Sequence, residues 1–373
     1  MRNNSKKLIA IILIVTVLIG LGVFLYIYFS KVDPKRYYEG VMNNISSNLK
    51  KEVEKTKQNF NGTLSIKYKD DVIKETGLNV KYSFDYERQK QQLDLSLLYD
   101  NNSIDGNVFI SSNRAYLKLK NVFDNYYYLN IEDYAAYTQQ SMPSDFADAV
   151  KSGLNVLKQT LKDENYDYIS ENGEQKVVLK ISEDKYVEFV KAYISNLRNN
   201  QEFVNNVSKV TEETNTEVRE NLNKMLNEEY TPRNITITTY LKNRKAYKVV
   251  VSDTKEKIVN TTTIDIINDK TYNVEFVNKL DDKENKVKVI ITKDGNNTLI
   301  NANYEDKSIN ISNNIEYGKA LEDPNTSNSK DLSTLSDTEQ LVLMNKIYTN
   351  ENIKKFITAV TKELFSVSGG FDE

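Results

Sequence analysis

The sequence predicts an α+β protein in which an N-terminal transmembrane helix is followed by a large curved antiparallel sheet, half-barrel-like, with helices packed on one face and a helix at the C-terminus. Three observations predict it. Leu8–Phe29 is an uncharged run of 22 residues, 16 of them Leu, Ile, Val or Phe. Two long stretches then alternate apolar and polar residues with period two. Apolar residues at helical spacing are segregated from them, before, between and after.

The composition narrows the function classes. With 373 residues, 28% charged and 39% hydrophobic, the chain is large enough for one large or two ordinary domains and too apolar for disorder. Cys, His and Trp are absent. This excludes zinc fingers, Cys-ligated iron–sulfur clusters, thiol nucleophiles, His–Asp relays and disulfides. The first thirty residues hold Arg2, Lys6 and Lys7 and no acid, so a net charge of −3 for the chain leaves a mildly acidic body. Such a body lacks the basic footprint that nucleic acid demands.

The run Leu8–Phe29 would span about 33 Å as a helix, against a hydrocarbon core of about 30 Å. Leu8, Ile12, Val15, Ile19, Val23 and Phe29 are its anchoring residues, with Tyr26 and Tyr28 at aromatic-belt height. A cleaved signal peptide has a shorter apolar region, roughly 7–15 residues, and a small-x-small site. LYIYFSKVDP offers no such site. The expectation is an uncleaved signal anchor in the cell membrane. Residues 1–7 form a cytoplasmic tail, 8–29 the single pass, and the body lies outside the cytoplasm.

Pro34 ends this run, and Tyr37, Val41, Ile45, Leu49 and Val53 predict a helix over 35–57. Period two follows in Leu64/Ile66/Tyr68, in Leu78/Val80/Tyr82/Phe84/Tyr86 and in Leu93/Leu95/Leu97/Tyr99, with polar breaks between. This is a hairpin meander that ends near Ile131. Pro143 and Ser144 open a helix with Phe146, Val150, Leu154, Leu157 and Leu161 on one stripe. A hairpin turning at Asn172–Gly173 follows, then a helix capped by Ser182. The polar stretch Gln201–Glu229 reads as helical or as a hinge, closed by Pro232. About seven strands run from Asn234 to Tyr317, among them Ile235/Ile237, Val249/Val251, Val287/Val289/Ile291 and Ile309/Ile311. The domain reading is a sheet domain over 35–317, divisible into 35–162 and 163–317, a linker over 318–335 and a C-terminal helical segment over 336–366. Ser336-x-x-Glu339 is a capping box at the start of that segment.

This order resembles the LolA/LppX-like superfamily of exported lipid carriers and lipoprotein chaperones, and Arg114–Tyr134 is similar to their hairpin that returns with an aromatic. The resemblance implies a half-open barrel with an apolar cleft. Two features depart from it: there is no lipobox cysteine, and an uncleaved anchor would tether the body. The chain equally resembles the uncharacterised membrane-anchored families of Gram-positive bacteria.

Candidate chemistry is sparse. Ser182-x-x-Lys185 and Ser327-x-x-Lys330 match the Ser–Lys spacing of penicillin-binding proteins but have no Lys-Thr-Gly partner. The groups Asp281/Asp282/Glu284 and Asp163/Glu164/Asp167 fall where turns are expected. Asp100–Gly106 lacks the alternating ligands of a calcium loop. Phe123, Tyr126, Tyr127 and Tyr128 form an aromatic cluster that suits a sugar or lipid platform, or simply a half-buried strand. The sequence thus singles out no catalytic, cofactor-binding, metal-binding or ligand-binding residue. It predicts a membrane-anchored, non-enzymatic binding protein for a lipid or other apolar ligand. The alternative is an envelope sensor or assembly module that docks a protein partner, and a carboxylate hydrolase comes last.

Overall fold

The computed structural model describes residues 33–56, 58–69, 75–85, 87–100, 102–111, 113–131, 142–171, 174–243, 245–281, 283–319 and 321–367. The expected anchor Leu8–Phe29, with Leu8, Ile12, Val15, Ile19, Val23 and Phe29, lies outside them, as do the Asn172–Gly173 turn and the residues after 367.

Helix α1 (Pro34–Thr56) comes first, followed by β1 (Phe60–Lys69), β2 (Thr76–Asp85), β3 (Lys90–Tyr99), β4 (Asn102–Ser111), β5 (Arg114–Leu119) and β6 (Tyr127–Asn130). Next are α2 (Met142–Thr160), a 3₁₀ turn, β7 (Tyr166–Glu171), β8 (Glu174–Ile181), α3 (Glu183–Asn199), α4 (Gln201–Thr211) and α5 (Asn215–Leu226). The second meander is β9 (Asn234–Lys242), β10 (Lys245–Lys255), β11 (Ile258–Ile266), β12 (Thr271–Leu280), β13 (Lys283–Asp294), β14 (Asn297–Tyr304) and β15 (Lys307–Tyr317). The short β16 (Lys330–Asp331), α6 (Asp337–Thr349) and α7 (Glu351–Val367) complete the chain.

The strands form one sixteen-stranded sheet in the order β16-β6-β5-β4-β3-β2-β1-β15-β14-β13-β12-β11-β10-β9-β8-β7. The neighbouring hairpins pair antiparallel, as the period-two pattern requires. The expected fold class is nevertheless corrected on one point. The sheet is mixed, not a purely antiparallel half-barrel, because Lys330 and Asp331 run parallel to Tyr127 and Tyr128. A two-residue polar strand carries no alternation, so nothing in that stretch marks it as a strand. No helix among the described residues is long and apolar enough to cross a membrane.

Two compact units divide the chain, and neither is continuous in sequence. One gathers the chain up to Lys55 with Ser141–Lys288, and the other Thr56–Gln140 with Val289–Glu373.

The first unit has a dry core. Along α1, Tyr37, Tyr38, Val41, Met42 and Ile45 are buried. The Tyr38 hydroxyl donates to the Ile237 carbonyl at 2.9 Å and lies 3.0 Å from that of Val177, so a fully buried phenol ties the helix to β8 and β9. A second cluster joins Ala149 and Val156 of α2 with Tyr193, Ile194 and Leu197 of α3, Phe203, Val204 and Val207 of α4, and Val218 and Leu222 of α5. The stretch that reads as polar or hinge-like therefore folds as two packed helices. Its apolar residues are few but correctly spaced, and Thr214 and Glu217 close a capping box at the start of α5. At α2 the helix begins at Met142, so Pro143 sits in the first turn, where a missing N–H leaves no bond unmade.

The second unit contains β1–β6, β14–β16, α6 and α7. Its post-sheet segment is held by a polar clasp. Asp85 accepts from the Arg88 backbone N–H at 2.9 Å and from Arg88 Nε at 2.7 Å, and Arg88 Nη2 donates to the Leu321 carbonyl at 2.5 Å. Asp323 pairs with both Arg88 and Lys90.

Candidate binding face of the second unit

Register assembles the candidate site. Across β14-β15-β1-β2-β3-β4, Ile300, Ile311, Ile66, Leu78, Leu97 and Ile104 stand opposite one another in turn. One step along, Leu64, Val80 and Leu95 form a parallel row, and next to it come Tyr82, Leu93, Val108 and Leu117. Alternation places all of these rows on one face. They are the apolar positions of the first period-two meander, extended by two strands of the second.

This face is poorly sealed. In the second unit only Val80, Tyr99, Phe109, Phe123, Leu321 and Ile353 are buried apolar residues among those described. Leu97 keeps 46% of its surface exposed, Leu117 40% and Ile309 41%, each on a strand with neighbours on both sides. Most of the other row members are half-buried. Helix α7 covers one end, where Phe356 meets the Tyr99 ring edge-on at 6.2 Å and Ile353 is buried. At another point Gly62 lets the Tyr82 ring pack directly over its backbone, where a Cβ would lie 2.2 Å from Tyr82 Cζ. The Tyr82 hydroxyl then donates to Asn313 Oδ1 at 2.9 Å. Apolar surface left partly open in this way is a candidate contact or ligand site.

The aromatic cluster does not form one platform. Phe123 is buried and meets Tyr127 edge-on at 5.1 Å. Tyr128 belongs to a ladder with Tyr116 and lies under the Arg114 guanidinium, 4.5 Å from its ring centroid. Tyr126 instead donates its hydroxyl to Asn107 Oδ1 at 2.6 Å. Partial burial and the nearby Asp94 charge hold that phenol above its usual range.

The other sequence candidates are dispersed. Ser182 is the N-cap residue of α3, but its hydroxyl makes no capping bond, contrary to the expectation from the sequence; it supports Asp184 instead. Lys185 pairs with Glu188. Ser327 donates to Asn325 Oδ1 at 2.7 Å, and Lys330 pairs with Glu339. Asp281 sits at a turn with φ of 51°, and Asp163 pairs with Lys35 at 2.5 Å. Asp100 is the turn residue of the β3–β4 hairpin, with φ of 44°. Among the described residues no group of three or more Asp or Glu is placed to hold a metal ion. What sequence reasoning missed is the incomplete cover: alternation gives the apolar face but not the number of helices laid on it.

No protein-family model matches the chain, and no curated protein matches it.

Proposed function

We propose that the chain is a non-enzymatic binding protein, held at a membrane by its N-terminal apolar run with its body outside the cytoplasm. In this reading the second unit takes a lipid acyl chain or a similar apolar ligand on its β1–β4 face. The observation that carries the reading is the set of cross-strand apolar rows left partly exposed on strands that have neighbours on both sides. Covering them with an acyl chain gains about 0.8 kcal/mol for each CH₂ removed from water. The resemblance noted in the sequence motivates the choice of an acyl ligand.

A second reading, a protein-docking module, is favoured by α6. This helix has no buried residue, and Leu341, Met344 and Tyr348, spaced i, i+3 and i+7, are all exposed, Leu341 to 69%. Native mass spectrometry of the full chain in amphipol, followed by lipid extraction, tests the first reading. One lipid class retained at fixed stoichiometry is the expected result. A ligand-free chain that retains a protein partner instead favours the second.

A further inference from the structure

The opposite face of the same strands carries mainly polar side chains, and it contains a trough of about 360 Å³ whose lining also includes Leu64, Val80 and Leu95. Its floor is a cross-strand row of short side chains, Ser312, Ser65, Asn79 and Ser96, ending at Asp105. Its wall is the next row, in which Thr63, Lys81 and Asp94 stand opposite one another in turn. Short residues beside long ones make the depression.

The wall is braced from outside. Asn107, 4% exposed, donates from Nδ2 to Asp94 Oδ1 at 2.7 Å, and its own Oδ1 accepts from the Tyr126 hydroxyl. Lys120 Nζ lies 3.5 Å from the same Asp94 oxygen. On the floor, Ser65 donates to Asn79 Oδ1 at 2.6 Å, which orients the Asn79 amide. At the far end Ser103 donates to Asp105 Oδ2 at 3.2 Å.

Charge selects the occupant. Lys81 and Lys120 balance Asp94 and Asp105, so an anion meets two carboxylates and a cation meets two ammonium groups. Two carboxylates are also too few for a hard metal cage. A neutral ligand rich in hydroxyl groups satisfies both signs at once, because each hydroxyl donates to a carboxylate and accepts from an ammonium or amide. We propose that this trough binds a neutral saccharide, independently of any apolar ligand on the other face.

The test uses the full chain in nanodiscs free of glycolipid, with saturation-transfer difference NMR and titration of maltotriose, cellotriose and tri-N-acetylchitotriose. Glycine betaine and inorganic phosphate are the charged controls. At least one trisaccharide is expected to give saturable transfer. Ser96→Tyr, which fills the floor at a strand position that suits tyrosine, is expected to weaken it about tenfold or more by occluding the trough. Asp105→Asn is the second variant should Ser96→Tyr unfold. Capture on the matching insoluble polymer, with or without release by free trisaccharide, separates a polymer end from a free sugar as the source. The proposal is overturned if no saccharide transfers, if phosphate or betaine binds more tightly, or if folded variants bind as the parent chain does.

Discussion

In the first unit Val177, Leu179 and Val249 lie on strands covered by helices, and Leu197, Phe203 and Leu222 close a helix–helix core with no exposed surface to speak of. In the second unit Leu64, Leu95 and Leu97 occupy comparable positions on strands of the same alternation, yet Leu64 and Leu95 are only partly buried and Leu97 is exposed. The strands are alike. The difference is the helix cover where it reaches: α1–α5 belong to the first unit, whereas α6 and α7 belong to the second, and α6 buries nothing; away from that cover the first unit too leaves Ile267, Phe276 and Leu280 exposed. Cross-strand pairing alone is enough to build a sheet, but sealing it takes a second layer. An unsealed layer is where a ligand or partner gains the most from contact.

The comparison can be broken or sharpened by substitution in the full chain, read by urea unfolding with pulse proteolysis. Phe203→Ala opens a cavity in the sealed unit and is expected to cost about 3–5 kcal/mol. Leu95→Ala in the open unit removes a side chain that is only partly buried and leaves a smaller cavity, so about 1–2 kcal/mol is expected. Equal costs would show that the second unit is as well packed as the first. Next in size, Tyr38→Phe should cost about 1–3 kcal/mol by stranding buried acceptors on β8 and β9.

Acid should act on the clasp of the second unit. Burial raises the Asp85 carboxyl, but the backbone N–H, guanidinium hydrogen bond and charge of Arg88 outweigh it, so the group sits below the usual carboxylate range. A depressed value means its contribution is complete above the unfolded-state value of about 3.9 and is lost as pH falls through the folded one. Asp85→Asn should therefore lower stability at neutral pH and flatten the acid limb of the stability curve below about pH 4. An unchanged acid limb would remove the clasp from the account. Smaller still, Ser336→Ala breaks the capping box of α6 and should cost that helix about 1 kcal/mol, visible as faster amide exchange at its first turn. Smallest in stability is Leu97→Lys, expected within about 0.5 kcal/mol of the parent because the position is open to solvent.

Much of this was legible in the sequence. The period-two residues from Leu64 to Tyr99 fall on one face, seven strands do run between Asn234 and Tyr317, and Ser336 with Glu339 forms the expected box. These features are local, and local spacing determines them. Other features depend on tertiary partners. Phe203 and Val207 look isolated among polar neighbours until α2 and α5 pack on them. Lys330–Asp331 becomes a strand only because β6 is beside it. The trough depends on Ser312, Ser65, Asn79 and Ser96 falling in one cross-strand row, and register is not written in any one strand alone.

The most direct test of the central claim is photo-cross-linking of a diazirine-bearing palmitate to the full chain in nanodiscs, with the sites mapped by mass spectrometry. The account predicts adducts on the β1–β4 face around Leu64, Leu78, Leu95 and Leu97, lost in Leu97→Lys at unchanged stability. Adducts confined to Leu8–Phe29, or unaltered in Leu97→Lys, would contradict it.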